Sequence, residues 1–337
     1  MKAIVYGKNG TTIPFSYREV NVPKPKENEV LIEVHAVSLN ANDYRLFRMG
    51  LGVPKSKIFG NAFAGTIAAV GKSVKSFRVG DSVVADTSDA GFGGMAEFAV
   101  APESAVVKKP AGVSDVDASA VPIAALTALQ AFRTAGGVKA GQTVLVHGAS
   151  GGVGLYAVQL AKASGAIVTA VCSTKNLDMA RSLGADAVID YTREDVTRTG
   201  QQFDHIVAVN GYHPLSAYKR ILAPHGTYVM VGGTFPQIFQ ALLLGPLFST
   251  GTKKMCALMA KTNARDLAYL LQLVANGGLQ PVIDRQYPLR EGAAAFMYVE
   301  SGHARGKVVI KVKTDKENSV CPVITSRGET ESVVDDT

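Results

Sequence analysis

The spacing of apolar positions changes twice along the chain. Up to about residue 110 it consists of short β-rich runs: residues 3–6 (AIVY), 29–40, 65–71, 81–86 and 96–102, each bounded by Gly, Pro, Asn or Lys. Runs this close, with no long helix between them, predict a barrel-like β unit. Near Asp115 the spacing becomes helical across residues 114–136, and Pro122 divides that stretch in two. From Thr143 strand and helix alternate. The fully apolar TVLVHGA is followed by the helical GLYAVQLAKASG, then by IVTAVCS and further pairs up to Gly233. This alternation predicts a doubly wound α/β domain on a parallel sheet. Residues 234–255 read as an unusually apolar loop ending in Lys253 and Lys254. A helix over 266–276 and strand-like VIDRQYPL and GKVVIKV then return the chain to the β unit.

Composition narrows the class. Of 337 residues 47% are hydrophobic and 19% charged, enough core for two domains. The longest charge-free runs, 119–132 and 235–252, are interrupted by Pro or Gly, so neither predicts a membrane span, and a soluble protein is expected. Cys172, Cys256 and Cys321 form no CxxC pair, which argues against a disulfide framework or a four-cysteine zinc site. With no basic-then-apolar leader at the start, the expected compartment is cytoplasmic. Residues 314–337 hold six acidic and two basic residues without apolar pattern and are expected to form a disordered tail. The remaining 33 basic and 22 acidic residues leave the body at +11, compatible with nucleic acid, an anionic membrane or a phosphorylated small molecule.

The strongest chemical motif is HGASGGVG, residues 147–154, placed where a buried strand hands over to a helix. Gly151 and Gly152 allow a pyrophosphate to approach the backbone, Gly154 allows the helix to pack on the strand, and the helix N-terminus offers free N–H groups. At the end of the next strand, where an NAD-selective site places a carboxylate, the sequence is CSTKN. Ser173, Thr174 and Lys175 suit a 2′-phosphate, so NADP(H) is the expected cofactor.

These segments, together with VSLNANDYRLFRMG, GNAFAGTIAAVGKSVKSFRVGDSVVA, PIAALTALQAF, SLGADAVIDY and GHARGKVVIKV, resemble the medium-chain dehydrogenase/reductase superfamily over nearly the whole folded chain. Within it they resemble the zinc-free quinone oxidoreductase branch that includes zeta-crystallin and the alkenal or enone reductases. The resemblance implies a GroES-like catalytic domain from residues 1–122 and 263–313 and a Rossmann domain from 123–262, with the site in the cleft between them. It also implies cofactor contacts at Thr127, at Ala149, Ser150, Gly151, Gly152, Val153 and Gly154, at Ser173, Lys175 and Tyr191, at Val209, Asn210 and Gly211, at Val231, Gly232 and Gly233, and at Arg305 and Lys307. Relatives of this kind commonly form homodimers by pairing edge strands.

Zinc-dependent members take metal ligands from positions that here fall in the segment from Ser38 to Asp43, at Asn61 and Ala62, and at Ala124. None offers a thiolate or imidazole, so no catalytic zinc is expected. The chemistry implied is hydride transfer from NADPH to a quinone or α,β-unsaturated carbonyl, whose own π system spreads the arriving charge. Asn40, Asp43 and Tyr44 are the candidate catalytic residues: Asn40 to orient an oxygen or the carboxamide, Tyr44 to wall the pocket or donate a proton. Turn formation by Asn40 and Asp43 and simple packing by Tyr44 stand beside those roles. Cys172 reads as packing or as a thiol open to electrophilic enones. The 234–255 segment is expected to roof a hydrophobic pocket and form a subunit interface, with membrane docking through Phe235, Phe239 and the lysines as the alternative. Competing functions are metal-free alcohol or aldehyde oxidoreduction and, in another class, NADPH or RNA binding without turnover.

Overall fold

A computed structural model describes residues 1–7, 14–48, 54–233, 235–249 and 251–312; the acidic segment 314–337 lies outside them. The β-rich part comprises β1 (Lys2–Tyr6), β2 (Phe15–Glu19), β3 (Glu29–Leu39), α1 (Ala41–Arg48), β4 (Ala62–Val70), β5 (Ser82–Asp86), β6 (Phe98–Pro102) and β7 (Val106–Lys108). Two helices follow, α2 (Asp115–Ala120) and α3 (Ala124–Thr134). Ser114 caps α2 by accepting the Asp117 N–H, and Pro122 parts the two helices, as the sequence pattern requires.

The alternating part runs β8 (Thr143–His147), α4 (Gly152–Ala163), β9 (Ile167–Cys172), α5 (Leu177–Ser182), β10 (Ala187–Asp190), β11 (Phe203–Val209), α6 (Leu215–Arg220) and β12 (Leu222–Val231). Its sheet is wholly parallel, in the order β10-β9-β8-β11-β12 and then β13 (Lys254–Ala257) at the edge. Val144, Leu145 and Val146 of β8 are fully buried because helices cover both faces of a central strand. The strand order reverses between β8 and β11, which opens a crevice at the carboxyl ends of those strands.

Between β12 and β13 the structure departs from the apolar loop expected there. Residues 235–248 form α7 (Phe235–Phe248), with Pro246 in its last turn. Gln, Ala and Leu favour a helix, and the uniform apolarity hid its period. Leu242, Leu243 and Leu247 stand exposed on it.

The chain then forms α8 (Ala264–Ala275), β14 (Ile283–Pro288), α9 (Gly292–Glu300) and β15 (Lys307–Lys311). β15 pairs with β3 and with β14, so both ends of the chain build one sheet, ordered β14-β15-β3-β4-β5-β7 with β6 also on β3. One apolar cluster joins α8, through Leu267, Leu270 and Leu271, to α3 and α4, while another packs Phe59, Phe63 and Phe296 inside the β unit. The fold is thus a GroES-like β unit joined to a Rossmann-like parallel-sheet domain, with the α1 and β15 ends facing the crevice.

Candidate active site

Where β8 ends, Gly148 turns the chain with φ +84°, a conformation that costs a residue with a side chain and not glycine. A Cβ on Gly154 would lie 2.1 Å from the Gly148 carbonyl oxygen, so this glycine is required for α4 to pack on the turn. At Gly151 the nearest atom to such a Cβ is 3.6 Å away, leaving room. Gly151 is also the N-cap of α4 and supplies no side-chain acceptor. The first-turn N–H groups therefore face the crevice without a side-chain cap, the arrangement that receives a phosphate. These features fit a nicotinamide dinucleotide.

A cavity of about 380 Å³ opens directly over this turn. Its lining brings together Asn40, Tyr44, Thr127, Gly151, Gly152, Val153, Val209, Asn210, Val231, Gly232 and Lys307, all expected from the sequence. A wider groove of about 780 Å³ on the β unit, near Lys26, Asp89 and Phe98, contains none of the expected residues. Two cavity-lining residues without glycine's freedom have positive φ, Ile123 at 62° and Asn210 at 55°. Such conformations persist where surrounding structure holds them, and here both flank the same cleft.

Asn40, Asp43 and Lys307 form a buried knot below the cavity. Lys307 Nζ donates to Asn40 Oδ1 at 2.5 Å and to the Leu39 carbonyl at 3.2 Å. Asn40 Nδ2 donates to the Ser38 carbonyl at 3.1 Å and to Asn61 Oδ1 at 3.4 Å. Asp43 accepts the backbone N–H groups of Asn40 at 2.8 Å and Gly60 at 3.2 Å. Burial raises the Asp43 carboxyl to about 7 against those two hydrogen bonds, and lowers the Lys307 ammonium to about 7 against the attraction of Asp43.

This geometry corrects the role expected of Asp43. Asp43 is enclosed and does not line the cavity, so it positions Asn40 and does not meet a ligand itself. Asn40 does border the cavity, but both ends of its amide are engaged inside the protein. Lys307 lies at the cavity floor, where its Cδ is 3.2 Å from a Cβ position on Gly152, and it has already given two donors to the knot.

Other expected cofactor residues surround the crevice without lining this cavity. Ala149 is buried and Ser150 lies in the turn. Gly211 is pressed against Tyr218, whose hydroxyl would be 2.4 Å from a Cβ, and Gly233 adopts φ +129°. Gln237 Nε2 of α7 donates to the Gly211 carbonyl at 2.5 Å, which ties that helix to the crevice loop. No described residue of α7 lines the cavity itself, so the expected roof is not formed by those residues. Lys253, offered for membrane contact, instead donates to the Lys219 carbonyl at 3.0 Å, while the side chains of Phe235 and Phe239 lie outside the described set.

At the end of β9, Ser173 Oγ accepts from Asn176 Nδ2 at 3.1 Å. Arg305 reaches the same corner, donating from Nε to Asn176 Oδ1 at 2.8 Å and from Nη2 to the Lys175 carbonyl at 2.5 Å. The nearby carboxylates have partners: Asp178 pairs with Arg181 at 2.8 Å, and Asp190 accepts from Thr174 and Thr192. Tyr191 is exposed beside Tyr212, their ring centres 6.1 Å apart. Cys172 is buried and its thiol is pushed up to about 11 by burial, which removes the reactive-thiol reading. His147 is also buried, lowered to about 4 mainly by burial, and shares a 2.9 Å hydrogen bond with Tyr218.

Sequence reasoning missed Arg45. It lines the cavity one residue beyond Tyr44, and its Nη2 donates to Asn210 Oδ1 at 2.5 Å across the crevice. The available signal was helical spacing, since Ala41, Tyr44 and Arg45 share one face of a helix beginning at residue 41.

Zinc does not fit the positions used by zinc-dependent relatives. Asp43 is the sole carboxylate among Ser38, Asn40, Asp43, Asn61, Ala62 and Ala124, and both its oxygens accept backbone N–H groups. No group of three or more His, Cys, Asp or Glu able to hold a metal occurs among the described residues.

Residues 26–111 match the family model for an alcohol dehydrogenase GroES-like domain, and residues 183–310 match one described as zinc-binding dehydrogenase. A chloroplast envelope quinone oxidoreductase homolog of Arabidopsis thaliana is 35% identical, with 92% of this chain and 98% of that protein covered. The trans-enoyl reductase pgmF of Aspergillus terreus is 32% identical over 85% of this chain and 86% of its own. Among solved structures, the quinone oxidoreductase from Coxiella burnetii superposes with a TM-score of 0.81 at 29% identity, covering 93% of this chain and 99% of that one.

Proposed function

Because the chain belongs to the medium-chain dehydrogenase/reductase family, as a quinone or enone oxidoreductase using a nicotinamide cofactor, we propose that it reduces such acceptors with NADPH and without a metal. The observation that carries this reading is the joint construction of one cavity. The side-chain-uncapped N-terminus of α4 meets Asn40, Tyr44 and Lys307 from the other unit there. When bound, the nicotinamide supplies the hydride. The protein's own residues bind and orient: the α4 amides receive phosphate, Thr127 borders the same space, and the Lys307 knot fixes the floor.

Preference for NADPH is supported by the corner where Ser173, Lys175 and Arg305 gather while Asp178 and Asp190 are otherwise engaged. Metal-free reduction is supported by the zinc-ligand positions, whose residues offer no usable donor set. Conjugated acceptors suit this arrangement because they delocalise charge that a metal would otherwise stabilise. The exposed Leu242, Leu243 and Leu247 beside the edge strand β13 support a homodimer built on that face. Parallel assays with a quinone, an enone and a simple aldehyde, each with NADPH or NADH and with or without chelator, test the proposal. Turnover of the conjugated acceptors with NADPH, unaffected by chelator, is expected. Turnover confined to the aldehyde, or abolished by chelation, overturns it.

A further inference from the structure

Two cationic side chains occur among the described residues lining the cavity, Lys307 and Arg45. Their situations differ. Lys307 is buried and holds Asn40 and the Leu39 carbonyl. Arg45 is half-buried and stretches across the cleft from α1 to the loops after β11 and β12. Its Nη2 donates to Asn210 Oδ1, and its Nη1 lies 2.9 Å from a Cβ position on Gly232. The guanidinium carbon is 6.0 Å from the ring centre of Tyr44, another lining residue. The bond to Asn210 uses one of five guanidinium donors and fixes the fork against the wall that carries Val209 and Gly232.

We propose that Arg45 is a catalytic residue that donates hydrogen bonds to the acceptor oxygen as negative charge develops there, taking the place of a Lewis-acid metal. The proposal rests on the quinone and enone reductase reading. For an enone, the β-carbon gains a hydride from the reduced nicotinamide, which is oxidised, and the C=C pair moves so that charge gathers on the carbonyl oxygen. That oxygen is held by the free Arg45 N–H groups. Water then supplies the proton that completes the saturated carbonyl product.

The test is an acceptor series, from a high-potential quinone to a weakly activated enone, measured with wild type, Arg45→Gln, Arg45→Lys and Arg45→Ala. NADPH affinity and melting temperature are followed for each protein. Removing an oxyanion donor is expected to lower kcat for the weakly activated enone about 100-fold. The quinone, which stabilises charge itself, should lose about 10-fold or less, and NADPH Kd should change by less than about threefold. Arg45→Lys should retain an intermediate rate, and added guanidinium should partly restore Arg45→Ala. Equal losses for every acceptor, or losses that follow NADPH Kd, would make Arg45 only a bridge between the two units and overturn the assignment. Wild-type inactivity with every acceptor would overturn the reductase reading instead, a result separable from any effect of the Arg45 variants.

Discussion

Lys307 Nζ and Asn40 Oδ1 lie 2.5 Å apart although 267 residues separate them in the chain. This bond ties the first residue of β15 to the start of α1 and places both at the floor of one cavity. Replacing Lys307 with Met leaves Asn40 Oδ1 and the Leu39 carbonyl without their donor in a buried setting. A loss of about 1–3 kcal/mol in unfolding free energy is expected, measured by urea denaturation. NADPH affinity should fall as well, because Lys307 and Asn40 no longer fix the floor of the cavity.

The same knot makes stability depend on pH in two windows. A carboxyl raised from 3.8 to about 7 on folding binds its proton more tightly in the native state, so its contribution to stability falls as pH rises through that interval. An ammonium lowered from 10.5 to about 7 is protonated more readily in the unfolded chain, so its contribution grows as pH rises from about 7 to 10.5. The difference between wild type and Lys307→Met, followed by urea unfolding at a series of pH values, should show the alkaline rise in wild type alone. The difference from Asp43→Asn should show the acid-side fall. Flat differences across both windows would contradict the buried pair.

The glycines of the turn should separate by role. Gly154→Ala places a methyl 2.1 Å from the Gly148 oxygen, so the backbone must move, and a destabilisation of about 1–3 kcal/mol or more is expected in thermal or urea unfolding. Gly151→Ala meets nothing closer than 3.6 Å and should melt like wild type, yet weaken NADPH binding by about tenfold or more by covering the phosphate approach.

Cofactor choice should follow the Lys175 corner. Lys175→Ala is expected to reduce kcat/KM for NADPH by about 10- to 100-fold while changing the NADH value little, because a charge-assisted contact to a 2′-phosphate contributes roughly 1.5–3 kcal/mol. Equal loss with both cofactors would remove the 2′-phosphate role.

Much of the framework was legible because it is local. Strand β8, the glycine turn and α4 occupy consecutive residues, so burial on both faces, positive φ and helix initiation all leave marks in one short window. The doubly wound order and the return of β15 to the β3 sheet were likewise readable from alternation and from the family resemblance. α7 escaped because residues 235–248 carry only two polar side chains, Gln237 and Gln240, too few to reveal a helical period. The inward turn of Lys307 and the reach of Arg45 to Asn210 depend on contacts across 267 and 165 residues, which no local pattern encodes. Asp43 looked reactive because a carboxylate in a motif invites chemistry; its two backbone N–H partners become visible only once Gly60 is folded against it.

Metal-free hydride transfer is followed most directly by stopped-flow oxidation of NADPH by purified, chelator-treated protein with a quinone and an enone, using the nicotinamide stereospecifically deuterated at C4. Rapid, saturable turnover with deuterium carried to the enone β-carbon is expected. Tight NADPH binding with no transfer to either acceptor, or transfer that returns only when a divalent metal is restored, would contradict it.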